Sequence, residues 1–200
     1  MAEPSDPPRR LIVGVSGASG AAYGVRLLDA LQELGIESHL VVTRAAALTL
    51  MQETGLGLAD LSERASVVHK LSDIAAPIAS GSYKTLGMVV APCSVRTMSE
   101  IATGVTSTLL TRAADVVLKE RRRLVLMVRE TPLHLGHLRT MTQLAEMGAI
   151  IAPPLPALYA RPDSIEAMID QSVGRVLDLF GLDWAPTVRW SGLSEGLDPA

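Results

Sequence analysis

Six short apolar runs recur along this 200-residue chain, at residues 11–15, 38–43, 66–69, 87–92, 124–129 and 149–152, with helix-patterned stretches between most of them. Runs of four to six residues, rich in Val, Ile and Leu, read as strands covered on both faces. Strand alternating with helix predicts an α/β doubly wound parallel sheet with right-handed crossovers. Ligands in such sheets bind outside the carboxyl ends of the strands, so the chemistry is expected there.

The first strand end shows what kind of ligand. In "LIVGVSGASGAAYGVRLLDAL" the apolar run stops at a serine, passes glycines at 17 and 20, and becomes amphipathic, with Val25, Leu27, Leu28 and Leu31 at helical spacing. Free N–H groups and the positive end of a helix dipole suit an oxyanion there, and glycine lets it approach the backbone. The spacing Gly14, Gly17, Gly20 is not G-x-G-x-x-G, and no G-x-x-x-x-G-K-[ST] is present. NAD is disfavoured further, because the second strand ends in "VTRAA", with Thr43 near where a ribose-binding carboxylate would stand. The other expected strand ends, "VTR", "PCSVRT", "VRETP" and "PPLPALYARP", are dominated by hydroxyls and arginines, which suit phosphate, ribityl or carbonyl oxygens. The loop "IASGSYKT" at residues 78–85 is expected to cover the site.

Length favours a single domain. A net charge of −3 with interspersed signs lacks the broad basic footprint of a nucleic-acid binder. The start, "MAEPSDPPRR", reads as a flexible tail without the apolar segment of a signal peptide, and no run reaches membrane-spanning length. A single cysteine excludes an internal disulfide and fits a reducing cytoplasm. That residue, Cys93, reads as a small buried hydrophobe. A mean hydropathy of +0.30 with 20% charged residues is oily for a monomer of this size and predicts a homo-oligomer. "KERRR" at residues 119–123 reads as a helix end whose cations complement the dipole, and Arg112 and Asp115 as a helix-surface ion pair. Pro132 is expected at the start of the following helix, and His134 and His137 on one of its sides without the further ligand that zinc needs.

"VGVSGASGAAYGVRLL", "ASGSYKTLGMVVAPCS", "RAADVVLKERRRLVLMVRETPLHLGHL", "PALYARP" and "RVLD", in this order, resemble the UbiX family of flavin prenyltransferases, formerly described as phenylacrylic or octaprenyl-hydroxybenzoate decarboxylases. The resemblance spans residues 10–190 as one Rossmann-like, flavodoxin-resembling domain, with tails at 1–9 and 191–200. It implies a flavoprotein, usually dodecameric, that joins a dimethylallyl group from dimethylallyl phosphate to reduced FMN, giving prenylated FMN for a UbiD-type decarboxylase. It also implies flavin binding by Gly17, Ala18, Ser19, Thr43, Ser94, Val95, Arg96, Thr97 and Arg129. Tyr159, Arg175, Lys119, Glu130 and Trp190 would meet the prenyl donor, and Ser19, Glu53 and Glu130 would handle protons, with Lys119 also in the catalytic set. Thr43 stands where many members have serine, which adds a methyl group and keeps the hydroxyl.

Residue chemistry agrees with that implication. A monophosphate leaves reluctantly unless fixed cations and donors meet its growing charge, and Lys119, Arg175 and Tyr159 supply them. The chain has no D-D-x-x-D for a magnesium-held diphosphate, so no metal is expected. An allylic cation finds electron-rich faces in Tyr159 and Trp190, in a chain with only 3% aromatics. Glu130, Glu53 or the released phosphate is the base; the residues leave that choice open. An FMN-dependent cysteine decarboxylase of the same fold, or a non-catalytic flavin carrier, remains the alternative.

Overall fold

The computed structural model describes residues 9–192. The expected tails at 1–9 and 191–200 therefore lie almost wholly outside the described residues. Strands β1 (Arg10–Val15), β2 (Glu37–Val42), β3 (Val67–His69), β4 (Gly87–Cys93), β5 (Arg123–Val128) and β6 (Ile150–Ile151) pair in parallel in the order β3-β2-β1-β4-β5-β6. The order reverses between β1 and β4, the switch point where doubly wound sheets open a crevice.

Alternation along the strands builds two cores. Leu11, Val13 and Val15 face α1 (Ala21–Glu33) and α7 (Ile165–Asp178), packing with Leu27, Leu28, Val173 and Leu177. Ile12, Met88, Val90, Leu124 and Leu126 face α4 (Val95–Ala102), α5 (Leu109–Lys119) and α6 (Leu135–Glu146). The remaining helices, α2 (Arg44–Thr54) and α3 (Leu58–Glu63), follow β2 and lead to β3. Burial on both faces explains why β1, β4 and β5 are apolar throughout, apart from the arginines that open β1 and β5.

Hydroxyls start four of the helices. Thr43 caps α2, Ser94 α4, Thr108 α5 and Ser164 α7, each accepting a backbone N–H from the first turn. A hydroxyl-rich strand end is thus partly a helix-start signal. The Arg112–Asp115 pair is present, and Lys119 occupies the last turn of α5. Two expectations change near α6. Pro132 sits three residues before the helix, in the turn after a cis Thr131–Pro132 bond, and His134 is the cap, its Nδ1 accepting from Gly136 and His137.

The loop at 78–85 does not cover the carboxyl ends. It precedes β4 and so enters the sheet at the opposite edge, where Arg122 donates to the carbonyls of Gly81 and Tyr83, and Leu86 N–H donates to Arg10 C=O. A segment that leads into a parallel strand must lie at the amino end, away from the crevice.

Candidate flavin and prenyl-donor site

Backbone bonds latch the central strand ends side by side. Thr43 N–H donates to Val15 C=O at 3.0 Å, and Arg129 N–H to Cys93 C=O at 3.1 Å. Ser16 is buried between them: its hydroxyl donates to Pro92 C=O at 3.0 Å and accepts Ser94 N–H at 2.8 Å. The loops after β1, β2, β4 and β5 therefore form one wall.

That wall lines a cavity of about 630 Å³, within the range of small-molecule and cofactor sites. Gly17, Ala18 and Ser19 come from the first turn, Thr43 from the second, Ser94 to Thr97 from the third, and Arg129 with Glu130 from the fourth. All nine residues expected to hold flavin converge here. Sequence reasoning missed part of the lining: Arg44, Leu71, Glu100, Thr108 and Thr111 also face the cavity. Arg44 was visible in "VTR", whereas Thr108 and Thr111 belong to a helix start that follows no strand and so carried no strand-end signal.

The cavity fits a flavin phosphate and ribityl chain on its own features. Three arginines, Arg44, Arg96 and Arg129, and the capped start of α4 face it. Gly17 is required: a Cβ there would lie 2.4 Å from the Ala45 Cβ, so any side chain would push the two turns apart. Cys93, by contrast, is fully buried below the wall, and burial pushes its thiol up to about 12, the behaviour of a packing residue. Replacing Arg129 by alanine is expected to weaken FMN binding about tenfold, the lower end for a charge-assisted bond at an exposed site; a fluorescence titration with an unchanged dissociation constant would remove it from the flavin contacts.

The oxyanion expected at the start of α1 is supplied by the protein itself. Glu53, from α2, accepts the N–H groups of Gly20 and Ala21 at 2.8 and 2.9 Å. Partial burial opposes its ionisation, but Ser19, these two N–H groups and the charge of Arg129 outweigh that and hold the carboxyl below its ordinary value. Glu53 is therefore a brace between α2 and the first turn. Glu130 hydrogen-bonds only the N–H of Thr131 among the described residues and faces the cavity.

The residues expected around the prenyl donor divide. Tyr159, Arg175 and Trp190 share a second pocket with Val188 and Arg189, and the Tyr159 and Trp190 rings meet edge to face with centroids 6.0 Å apart. Arg175 is 58% exposed and pairs with Asp178 at 2.6 Å. Lys119 does not join either pocket. It lies at the far end of α5, an 11-residue helix whose first turn lines the flavin cavity, and pairs there with Glu120. At about 1.5 Å per residue, the eight residues from Thr111 to Lys119 separate it from the cavity by roughly 12 Å of helix. Within one chain the "VLKERR" and "RETP" motifs lie at opposite ends of β5, which runs between them.

The Flavoprotein family model matches residues 2–179. Flavin prenyltransferase UbiX of Escherichia coli K12 is 58% identical over 187 residues, covering 92% of this chain and 99% of that protein. The chain belongs to the UbiX flavin prenyltransferase family. Among solved structures, AnUbiX (PadA1) in complex with FMN and dimethylallyl pyrophosphate superposes with a TM-score of 0.92 at 47% identity, covering 94% of this chain and all of that one. A dodecameric FMN-dependent UbiX-like decarboxylase from Escherichia coli O157:H7 superposes with a TM-score of 0.89 at 46% identity, over 92% of this chain and all of that one.

Proposed function

We propose that this chain transfers a dimethylallyl group from a dimethylallyl phosphate to reduced FMN, yielding prenylated FMN for a UbiD-type decarboxylase. The convergence on one cavity of the nine residues expected to hold flavin supports this reading, together with 58% identity to a UbiX over nearly the whole chain. That identity leaves the cysteine decarboxylase and carrier readings unfavoured.

Reduced flavin supplies the electron-rich acceptor atoms, and the side chains do the rest. Arg129, Thr43 and the turn at residues 94–97 seat and orient it. Arg175 and Tyr159 hold the donor phosphate and meet the charge that grows as the allylic bond breaks. The faces of Tyr159 and Trp190 shield the allylic cation from water. Ring closure requires removal of a proton, and we assign Glu130 as the base because it faces the cavity, whereas Glu53 is committed to the N–H groups of Gly20 and Ala21.

The far position of Lys119 leads us to assign it to the site of a neighbouring copy. Leu48, Leu155, Leu158 and Ile165 are each at least 70% exposed in the single chain, the kind of apolar surface that assembly covers. A dodecamer is the assembly we propose. Dilution below the assembly threshold is expected to lower specific activity, with light scattering following the mass; full activity in a stable monomer would show that one chain suffices. A single, buried, unpaired cysteine supports a cytoplasmic setting, and no helix among the described residues is long and apolar enough to cross a membrane.

The deciding experiment is anaerobic incubation with FMNH2 and dimethylallyl phosphate or pyrophosphate, read by product mass. A flavin heavier by one isoprene unit is expected. Unchanged flavin with either donor would overturn the assignment.

A further inference from the structure

We infer that Gln171, which no motif marks, is the positioning residue that aims the Tyr159 hydroxyl proton at the donor phosphate and fixes the Tyr159–Trp190 pair. The inference rests on the reading that Tyr159 and Trp190 meet the prenyl donor.

Gln171 lies on α7 and is 3% exposed. Its carboxamide makes three hydrogen bonds. Val188 N–H donates to Oε1 at 2.8 Å, and Nε2 donates to Val188 C=O at 3.0 Å and to the Tyr159 hydroxyl oxygen at 3.0 Å. The two bonds to Val188 settle the orientation of the amide, because a backbone N–H can only donate and a carbonyl can only accept. The NH2 end must therefore face Tyr159, and the hydroxyl must accept.

A hydroxyl that accepts from Gln171 keeps its own proton to give away. No described residue takes that proton, and the ring is half exposed on the pocket it shares with Arg175. The donor polarity runs from amide to hydroxyl to pocket, the direction an anionic ligand needs, and each bond polarises the next. The same amide holds Val188, two residues before Trp190, so it also sets the segment that brings the indole edge to face against Tyr159. One helical turn on, Gly174 lets that segment lie on α7, since a Cβ there would stand 1.8 Å from the Thr187 hydroxyl oxygen.

Gln171→Glu keeps the length and the acceptor for Val188 N–H but brings no N–H, and its carboxylate would accept the Tyr159 proton. With the assembled, FMN-loaded protein and dimethylallyl phosphate, it is expected to lower kcat/KM about tenfold or more while the FMN dissociation constant stays put. In a Tyr159→Phe background most of that loss should vanish, because the hydroxyl it acts through is gone. Additive penalties in the double variant would reduce Gln171 to a structural residue and overturn the inference. If Gln171→Glu does not assemble, the uncharged, similarly sized Gln171→Met is put through the same cycle under the same criterion. Failure of the underlying reading looks different: Tyr159→Phe alone would then leave kcat/KM unchanged, and the inference would fall with it.

Discussion

Arg175→Ala is expected to leave FMN bound and to cut prenyl transfer by about 100-fold or more. Arg175 lies in the pocket with Tyr159 and Trp190, apart from the cavity proposed to hold the flavin, so its loss should not loosen the flavin. Its guanidinium is held by Asp178, whose carboxyl burial would raise but which Arg189 and Arg175 keep below its ordinary value, so among the described residues the fork is anchored at one nitrogen and has no partner at the others. A cation that meets phosphate charge as it develops acts mainly on the transition state, so the loss belongs in kcat at saturating donor. Tyr159→Phe should be milder, because the ring and its contact with Trp190 remain. Stopped-flow or quenched assays under saturating dimethylallyl phosphate decide the matter; an Arg175→Ala protein working at the parent rate would remove this arginine from the mechanism and make Lys119 the next cation to test.

Glu53→Ala should open the first turn. The carboxylate joins α2 to Gly20 and Ala21 and stands beside Ser19, so its removal uncaps α1 and frees the loop that lines the flavin cavity. Loss of a comparable helix cap costs about 1 kcal/mol, and a domain of this size shifts roughly 2–4 °C in Tm for that amount. Flavin affinity is expected to fall about tenfold or more, and Glu53→Gln, which retains an acceptor, should recover much of it. The pH dependence follows from the lowered carboxyl: its stabilisation is complete above the ordinary carboxylate value of 4.5 and is lost as pH falls through the lower folded value. Thermal melts of parent and variant should therefore differ at pH 7 and converge in strong acid. A constant gap across that range would show that the charge of Glu53 does not brace the turn.

Much of this was legible before any coordinates. The six apolar runs matched six strands within a residue or two at each end, since β-branched runs bounded by Gly, Ser and Pro have few other uses. Parallel pairing placed "SGASG", "VTR", "PCSVRT" and "VRETP" together because every strand in such a sheet points its carboxyl end the same way. The same rule, applied to the segment before β4, would have placed residues 78–85 at the opposite edge. The fifth strand end, "PPLPALYARP", follows a two-residue strand at the sheet edge and leads to the second pocket.

Local pattern determined the strands, the helix starts and the chemistry of the loops, because hydrophobic period and capping hydroxyls act over a few residues. Which groups meet across the fold was a matter of packing. Glu53 reaches the first turn from 32 residues away in sequence, Gln171 holds Val188 from 17, and Lys119 is carried off by the length and direction of α5. Nothing in their neighbours announces these contacts. A buried glutamine or a helix-end lysine acquires its role from the element that folding sets beside it, and that partner is fixed only when the cores on both faces of the sheet close.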